Sequence, residues 1–381
     1  MSSSPVFELA VELMRRESVT PADAGCMELI GARLETVGMV VERIDVGEVC
    51  NLFARHGKGA PHLMLLGHTD VVPPGPLEHW TSPPFSPEVR EGMLYGRGAA
   101  DMKSSDAAFV VALEQFLTEH PDHSGTVSLL LTSDEEGPAR EGVRAVVPRL
   151  EERGLLPDAC LVGEPSSRER LGDTIRIGRR GSIQAKLKVR GIQGHTAYAD
   201  PADNPVHRAG PLVAALGQMD FDDGDEHFPP TRLQISNIRA GTGADNVTPG
   251  ELDIWFNLRN NPNSPADQLE ARLRQLIETH DPGDWTLDWR VSGEPFGPAT
   301  GPLPTVVDAA CREHLGIAPT ANTGGGTSDG RFLGPRGVPV VELGSVNASI
   351  HQVDECIRVD DLDRLPGVYR AIIAGMLLAD S

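Results

Sequence analysis

The sequence predicts an α/β fold in two domains, one with a mainly parallel mixed sheet covered by helices and one an inserted α+β module. Three observations predict it. The chain has 381 residues, 39% of them hydrophobic, too long for one small core and apolar enough to fill two. Strand candidates with continuous apolar runs, such as Leu63-Met64-Leu65-Leu66, alternate with helical stretches, the pattern of a sheet covered on both faces. Near Arg179 the pattern changes. Ile183, Ala185, Leu187 and Val189 alternate with Gln184, Lys186, Lys188 and Arg190, which marks a half-exposed strand.

Helices are expected over 5–17 and 20–38, where Ser4 and Thr20 are caps and Pro5 and Pro21 take the first helical position. Strand candidates at 39–46 and 51–55 form a hairpin-like pair that leads to the core strand 62–67. A helix at 102–119, a strand at 126–133, a helix near 141–153 and a strand at 159–162 follow. The inserted module reads as strand, helix, strand, strand, helix, strand, a ferredoxin-like order. Its first helix, 204–219, is capped by Asn204 before Pro205, and its second, 265–280, opens on the capping-box-like Ser264-Pro265-Ala266-Asp267. After Gly293 a helix at 303–315 and an apolar strand at 338–343 return to the first domain. The expected division is 1–179 with 293–381 for one discontinuous domain, and 180–292 for the insert.

Composition excludes several functions. A net charge of −21 repels nucleic acid, and no basic stripe offsets it. No run of about 18 apolar residues exists, so no membrane span is expected. The N-terminus carries no basic region followed by an apolar run, and five cysteines stand without a CxxC pair. Those features read as reduced thiols in the cytoplasm and argue against cysteine-ligated zinc.

The chemistry gathers where strands end. His68 and Asp70 close the core strand, and residues two apart share a strand face. A carboxylate there can fix the histidine ring or orient a neighbour. Asp101 follows the Gly-rich turn Gly96-Arg97-Gly98-Ala99-Ala100 and stands before a helix, as a cap or a ligand. Glu135 and Glu136 follow the strand 126–133, Glu164 follows 159–162, and His351 lies past 338–343. Ligands bind outside the carboxyl ends of strands in open α/β sheets. Carboxylates clustered there repel one another unless a cation lies among them. Histidine and carboxylate without thiolate suit Zn²⁺ or Co²⁺ better than Mg²⁺. The set suffices for two ions sharing a bridge, about 3.5–4 Å apart as in two-metal hydrolases. Of Glu135 and Glu136, one can be a ligand and the other can face the water.

These stretches resemble a family of zinc-dependent amidohydrolases that includes deacylases, aminoacylases and carboxypeptidases. The broadly shared ones are Gly67-His68-Thr69-Asp70, Asp101-Met102-Lys103, Ser133-Asp134-Glu135-Glu136-Gly137 and Gly163-Glu164-Pro165. Others resemble its desuccinylase branch, chiefly Arg179-Arg180-Gly181-Ser182, Gly194-His195-Thr196-Ala197-Tyr198, Thr323-Gly324-Gly325-Gly326-Thr327-Ser328-Asp329-Gly330-Arg331-Phe332 and Asn347-Ala348-Ser349-Ile350-His351. Ser104-Ser105-Asp106 departs from the resemblance, which leads one to expect Gly and small or apolar residues there.

The resemblance implies roles. His68 and Glu164 would hold one zinc, Glu136 and His351 the other, with Asp101 bridging. Two Zn²⁺ per subunit are implied, and Co²⁺ may replace one. Asp70 would orient or tune His68, and Glu135 would be general base and acid. The insert would form a homodimer and a lid, bringing His195 to the partner's site as an oxyanion donor. Arg179, Arg259, Gly326, Thr327 and Asn347 would line the substrate pocket, with Tyr198 and Asn246 reaching it from the partner. Arginine forks suit a small anionic N-succinyl amino-acid substrate. The implied reaction is hydrolysis of the amide of N-succinyl-L,L-2,6-diaminopimelate. Two rivals are a deacetylase of the same family and a metal-binding dimer that has lost catalysis.

Overall fold

A computed structural model describes residues 4–378 of the chain. The chain divides into two units: Met1–Gly178 with Gly297–Asn322 and Ser328–Ser381, and Arg179–Phe296 with Thr323–Thr327.

The first unit is built on an eight-stranded sheet. Its order is Val40–Arg43, Asn51–Lys58, Gly125–Thr132, His62–His68, Ala159–Val162, Val340–Glu342, Thr174–Arg176, Thr320–Asn322. The four strands Gly125–Thr132, His62–His68, Ala159–Val162 and Val340–Glu342 run parallel to one another. Every residue of His62–His68, Gly125–Thr132 and Ala159–Val162 is buried, because the apolar runs leave no polar face for water. Helices Pro5–Met14, Lys103–Glu119 and Val359–Leu377 supply Leu9, Leu13, Phe109, Phe116, Leu365 and Ile372 to the common core. A side chain such as Phe109, fully buried, contributes about 1.5–3 kcal/mol over leaving it in water. The hairpin pair and the core strands expected from sequence are present, the pair as Val40–Arg43 and Asn51–Lys58 rather than 39–46 and 51–55. The fold class is as expected: a mixed, mainly parallel, helix-covered sheet and a separate antiparallel module.

Two helix openings differ from expectation. The second helix runs Cys26–Thr36 rather than from Thr20. Thr20 instead donates its backbone N–H to Val71 O at 3.0 Å, and Val19 bridges Val71, so this segment is extended. Gly25, at φ 81°, makes the turn into the helix, and the Asp23 carboxylate accepts from Met27 N at 3.2 Å. In the insert the second helix runs Ala266–His280, and Ser264 donates its hydroxyl to Asp222 rather than capping the helix.

The second unit holds a four-stranded antiparallel sheet in the order Arg232–Ala240, Glu251–Arg259, Ser182–Arg190, Trp285–Gly293. Two helices, Pro205–Gly217 and Ala266–His280, complete the βαββαβ order. Alternation sends Ile183, Leu187, Val189, Ile254, Phe256 and Leu258 into one core with Leu212, Leu216, Leu269 and Leu273. The Asn204 side chain accepts from Val206 N at 3.0 Å, the cap expected before Pro205. Thr323–Thr327 packs with this unit through two sets of bonds. Thr323 Oγ1 donates to His227 O at 2.6 Å, and Arg179 Nη1 donates to Gly324 O and Gly326 O at 2.8 and 3.2 Å. No helix among the described residues is long and apolar enough to cross a membrane.

Candidate metal centre

His68 is the last residue of His62–His68 and pairs with Thr132 of the parallel neighbour. Glu135 and Glu136 therefore leave the same edge three and four residues later. Ala159–Val162, also parallel, ends two residues before Glu164. Strand direction alone brings these side chains to one edge of the sheet.

There they meet. Nε2 of His68 lies 3.2 Å from Asp101 Oδ1 and 3.8 Å from Glu164 Oε1. Nε2 of His351 lies 3.4 Å from Asp101 Oδ2 and 2.9 Å from Glu136 Oε1. Asp101 thus turns one oxygen to each histidine. The other nitrogen of His68, Nδ1, lies 2.9 Å from the carbonyl oxygen of Asp70. A proton on Nδ1 donated to that carbonyl leaves Nε2 free to face the carboxylates. The Asp70 carboxylate stands 3.6 Å from Nδ1 and accepts the backbone N–H groups of Glu135 and Glu136 at 3.3 and 3.1 Å. His351 adopts φ 61°, a left-handed conformation that costs a non-glycine residue about 1–3 kcal/mol.

The electrostatics are those of a crowded acid cluster. Burial, and then Asp101 and Glu135, push the Glu164 carboxyl well above its ordinary value. Burial, and then Asp329, do the same to Glu135. Burial would raise Asp101 too, but hydrogen bonds from His351 and His68 outweigh it and hold Asp101 low. Hydrogen bonds to Asp101 and Glu136 lift His351 to about 10. A cation among these carboxylates would relieve their repulsion, and its binding would release protons from the cluster.

Two neighbours of the cluster, and Arg180 in the second unit, were not singled out from sequence. Arg331 Nη2 stands 3.5 Å from Asp329 and 4.0 Å from Glu135, in the Asp329-Gly330-Arg331 run already noted for its resemblance. Glu355 is almost fully buried and bonds to the loop that carries Asp101. Its trace in the sequence is an acidic pair, Asp354-Glu355, shortly after His351. In the second unit Arg180 is half-buried, its Nε without a hydrogen-bond partner among the described residues, and Gly181 N bonds Asn260 O at 2.7 Å beside Arg259. Burial, and then Arg180, lower the pKa of Arg259.

The remaining expected residues lie as follows. Asn347 opens a short 3-10 turn in the first unit and donates its backbone N–H to Ser167 O at 3.0 Å. In the second unit His195 sits in the small pair Gly194–His195 with Val247–Thr248, and its Nδ1 accepts from Ala197 N at 3.1 Å. Tyr198 is 89% exposed, its ring 5.5 Å from that of His195. Asn246 O accepts from Thr196 N at 3.0 Å in the same paired segment. Arg179 holds Gly324 and Gly326, next to Thr327.

Residues 64–375 match the model of peptidase family M20/M25/M40. The chain belongs to that family. It is 56% identical over 375 residues to a succinyl-diaminopimelate desuccinylase of Stenotrophomonas maltophilia strain R551-3, covering 98% of this chain and all of that one. A desuccinylase of Xylella fastidiosa strain 9a5c is 56% identical over 377 residues, covering 99% of this chain and all of its own. Among solved structures, the M20 family metallo-carboxypeptidase Sso-CP2 from Sulfolobus solfataricus superposes with a TM-score of 0.80 at 16% identity, over 98% of this chain and 99% of that one. The aminopeptidase PepT of Bacillus cereus gives 0.78 at 19% identity, over 98% of each chain. At those identities the structures establish the M20 fold.

The donor set of this M20 chain fits divalent metal. Ligand atoms of His68, Glu135 and Glu164 lie within 4.8 Å of one another, as do those of His68, Asp101 and Glu136. All are nitrogen or carboxylate oxygen, the donors of borderline and hard divalent ions.

Proposed function

We propose that the chain hydrolyses the amide of N-succinyl-L,L-2,6-diaminopimelate to succinate and L,L-diaminopimelate, in the synthesis of diaminopimelate and lysine. One observation carries the hydrolase reading: Asp101 offers its two oxygens to two different histidines, the posture of a carboxylate shared by two ions. The acyl group is inferred from the desuccinylases that match this chain end to end at 56% identity.

His68 and Glu164 would hold one ion, Glu136 and His351 the other, and Asp101 both. Zn²⁺ suits these donors, with Co²⁺ able to replace one. Bound there, the ions would polarise the scissile carbonyl and acidify a water. Glu135 takes the proton of the attacking water and returns it to the leaving nitrogen as the C–N bond breaks and a C–O bond forms. Asp70 keeps the His68 ring and the Glu135-Glu136 backbone in place. Glu135 stands near enough to His68 and Glu164 to be a ligand instead. Its role as base is inferred from the family resemblance and is open to mutation.

The insert, 180–292, is inferred to be a lid and the dimer interface of a cytoplasmic homodimer. His195 would then serve as oxyanion donor, with Tyr198 and Asn246 beside it, in the partner's site. Arg179, Arg259, Gly326, Thr327 and Asn347 would receive the substrate carboxylates. The test is release of free amine from N-succinyl- against N-acetyl-substrates, with and without added Zn²⁺. Preference for the succinyl group, dependent on metal, supports the reading. Preference for acetyl favours the deacetylase rival.

A further inference from the structure

We propose that Glu355 is a positioning residue that fixes the main chain of Asp101 and couples it to the segment bearing His351. This rests on the reading of Asp101 as a carboxylate shared by two ions.

Glu355 is 1% exposed, and each of its oxygens takes two donors. Oε1 accepts the backbone N–H groups of Ala100 and Asp101 at 2.8 and 3.0 Å. Oε2 accepts the Gly98 N–H at 3.1 Å and Nη1 of Arg97 at 2.7 Å. Three of these four donors are main-chain groups of residues 98–101, a run of turns with no strand ladder to satisfy them. Buried N–H groups without a partner are costly, so a carboxylate that collects three of them decides the path of the loop. Arg97, 2% exposed, offsets the buried charge and also donates to Gln352 O at 3.1 Å.

The second half of the coupling is the position of Glu355 itself. Its carbonyl accepts from Gly96 N at 2.9 Å, and Cys356, the next residue, pairs with Tyr95 in a short antiparallel sheet. His351 lies four residues earlier on the same segment. One carboxylate therefore ties the loop carrying Asp101 to the segment carrying His351, whose Nε2 stands 3.4 Å from Asp101 Oδ2. Burial of an ion pair such as that with Arg97 is by itself a weak source of stability. Three main-chain donors aimed at one loop are the mark of a positioning role.

A loosened Asp101 weakens both ions together, because it serves both. The experiment compares wild type, Glu355→Gln and Asp101→Asn, each stripped of metal and titrated with Zn²⁺ against a chromophoric chelator. Glutamine keeps the volume but offers one acceptor oxygen, so at least one pair of donors is lost. The expected result for Glu355→Gln is a loss of about 10- to 100-fold in affinity at both ions. A structural role alone would lower the melting temperature of the metal-free protein and leave both affinities unchanged, which overturns the proposal. Asp101→Asn separates the two readings. If it loses both ions while Glu355→Gln binds normally, only the role of Glu355 fails. If Asp101→Asn binds both ions as wild type does, the shared-carboxylate reading fails and the proposal with it. Amide hydrogen exchange in metal-free wild type tests the bonds themselves even where a variant does not fold. Gly98, Ala100 and Asp101 should be protected like strand amides, and exchange at open-loop rates overturns the proposal.

Discussion

The carboxylate of Asp70 accepts the backbone N–H of Glu136 at 3.1 Å. Its other oxygen takes the N–H of Glu135 at 3.3 Å. Asp70 thus bears on the Glu135-Glu136 turn through its carboxylate and on His68 through its carbonyl. Asp70→Asn keeps the shape but leaves one acceptor for two amides. We expect kcat to fall about 10- to 100-fold, the usual effect of losing a partner that orients a ligand. Steady-state kinetics with melting curves checks this. Wild-type kcat in a folded variant removes Asp70 from the machinery.

Glu135→Gln should keep both ions and lose turnover. Gln cannot take a proton, and removing a general base costs on the order of 10²-fold or more in kcat. Metal analysis and kinetics on the same sample separate base from ligand. Loss of an ion would make Glu135 a ligand, as its proximity to His68 and Glu164 permits.

Asp106 is fully buried, and neither of its oxygens has a hydrogen-bond partner among the described residues. A Cβ on Gly67 would come within 2.2 Å of Asp106 Oδ1, so only glycine leaves room for it there. Burial raises its pKa well above the ordinary carboxylate value, against the pull of His68 and Lys103. The folded state therefore holds this proton to higher pH than the unfolded state does. Its contribution to stability is full below the unfolded pKa, about 3.9, and declines as pH rises towards the folded pKa. Asp106→Asn removes that decline. Measured in chelator, its melting temperature relative to wild type should climb from pH 5 to pH 8. A constant difference would contradict the assignment of a buried, protonated Asp106.

His195 and Glu135 are expected to meet only across a dimer. Two inactive variants, His195→Ala and Glu135→Gln, should therefore rescue each other after subunit exchange. Each mixed dimer holds one site with both residues intact, so its activity should approach half that of wild-type dimer. No recovery despite proven exchange would place His195 in its own chain's site or outside the chemistry.

Most of the frame was legible because strands announce themselves by apolar runs. His68, Glu135, Glu136 and Glu164 each follow such a run, so their convergence followed from parallel strand direction. The C-terminal helix Val359–Leu377 was not read, since Pro366 sits inside it and Asp360, Asp361 and Asp363 interrupt its apolar pattern. The start of the second helix at Cys26 depends on the φ of Gly25, which the Thr20-Pro21 signal masked. Thr323–Thr327 packs with the insert through Arg179 and His227, contacts between residues about 100 or more positions apart. Glu355 was missed for the same reason: its donors lie more than 250 residues away.

The most direct test of the two-ion centre counts ions and activity together. Enzyme stripped of metal is titrated with Zn²⁺, and bound ions and hydrolysis of N-succinyl-L,L-diaminopimelate are followed in wild type and His351→Ala. Two ions per wild-type chain, no hydrolysis without metal, and preferential loss of one ion in His351→Ala are expected. Hydrolysis by the metal-free chain, or two equally tight ions in His351→Ala, would contradict the two-ion centre.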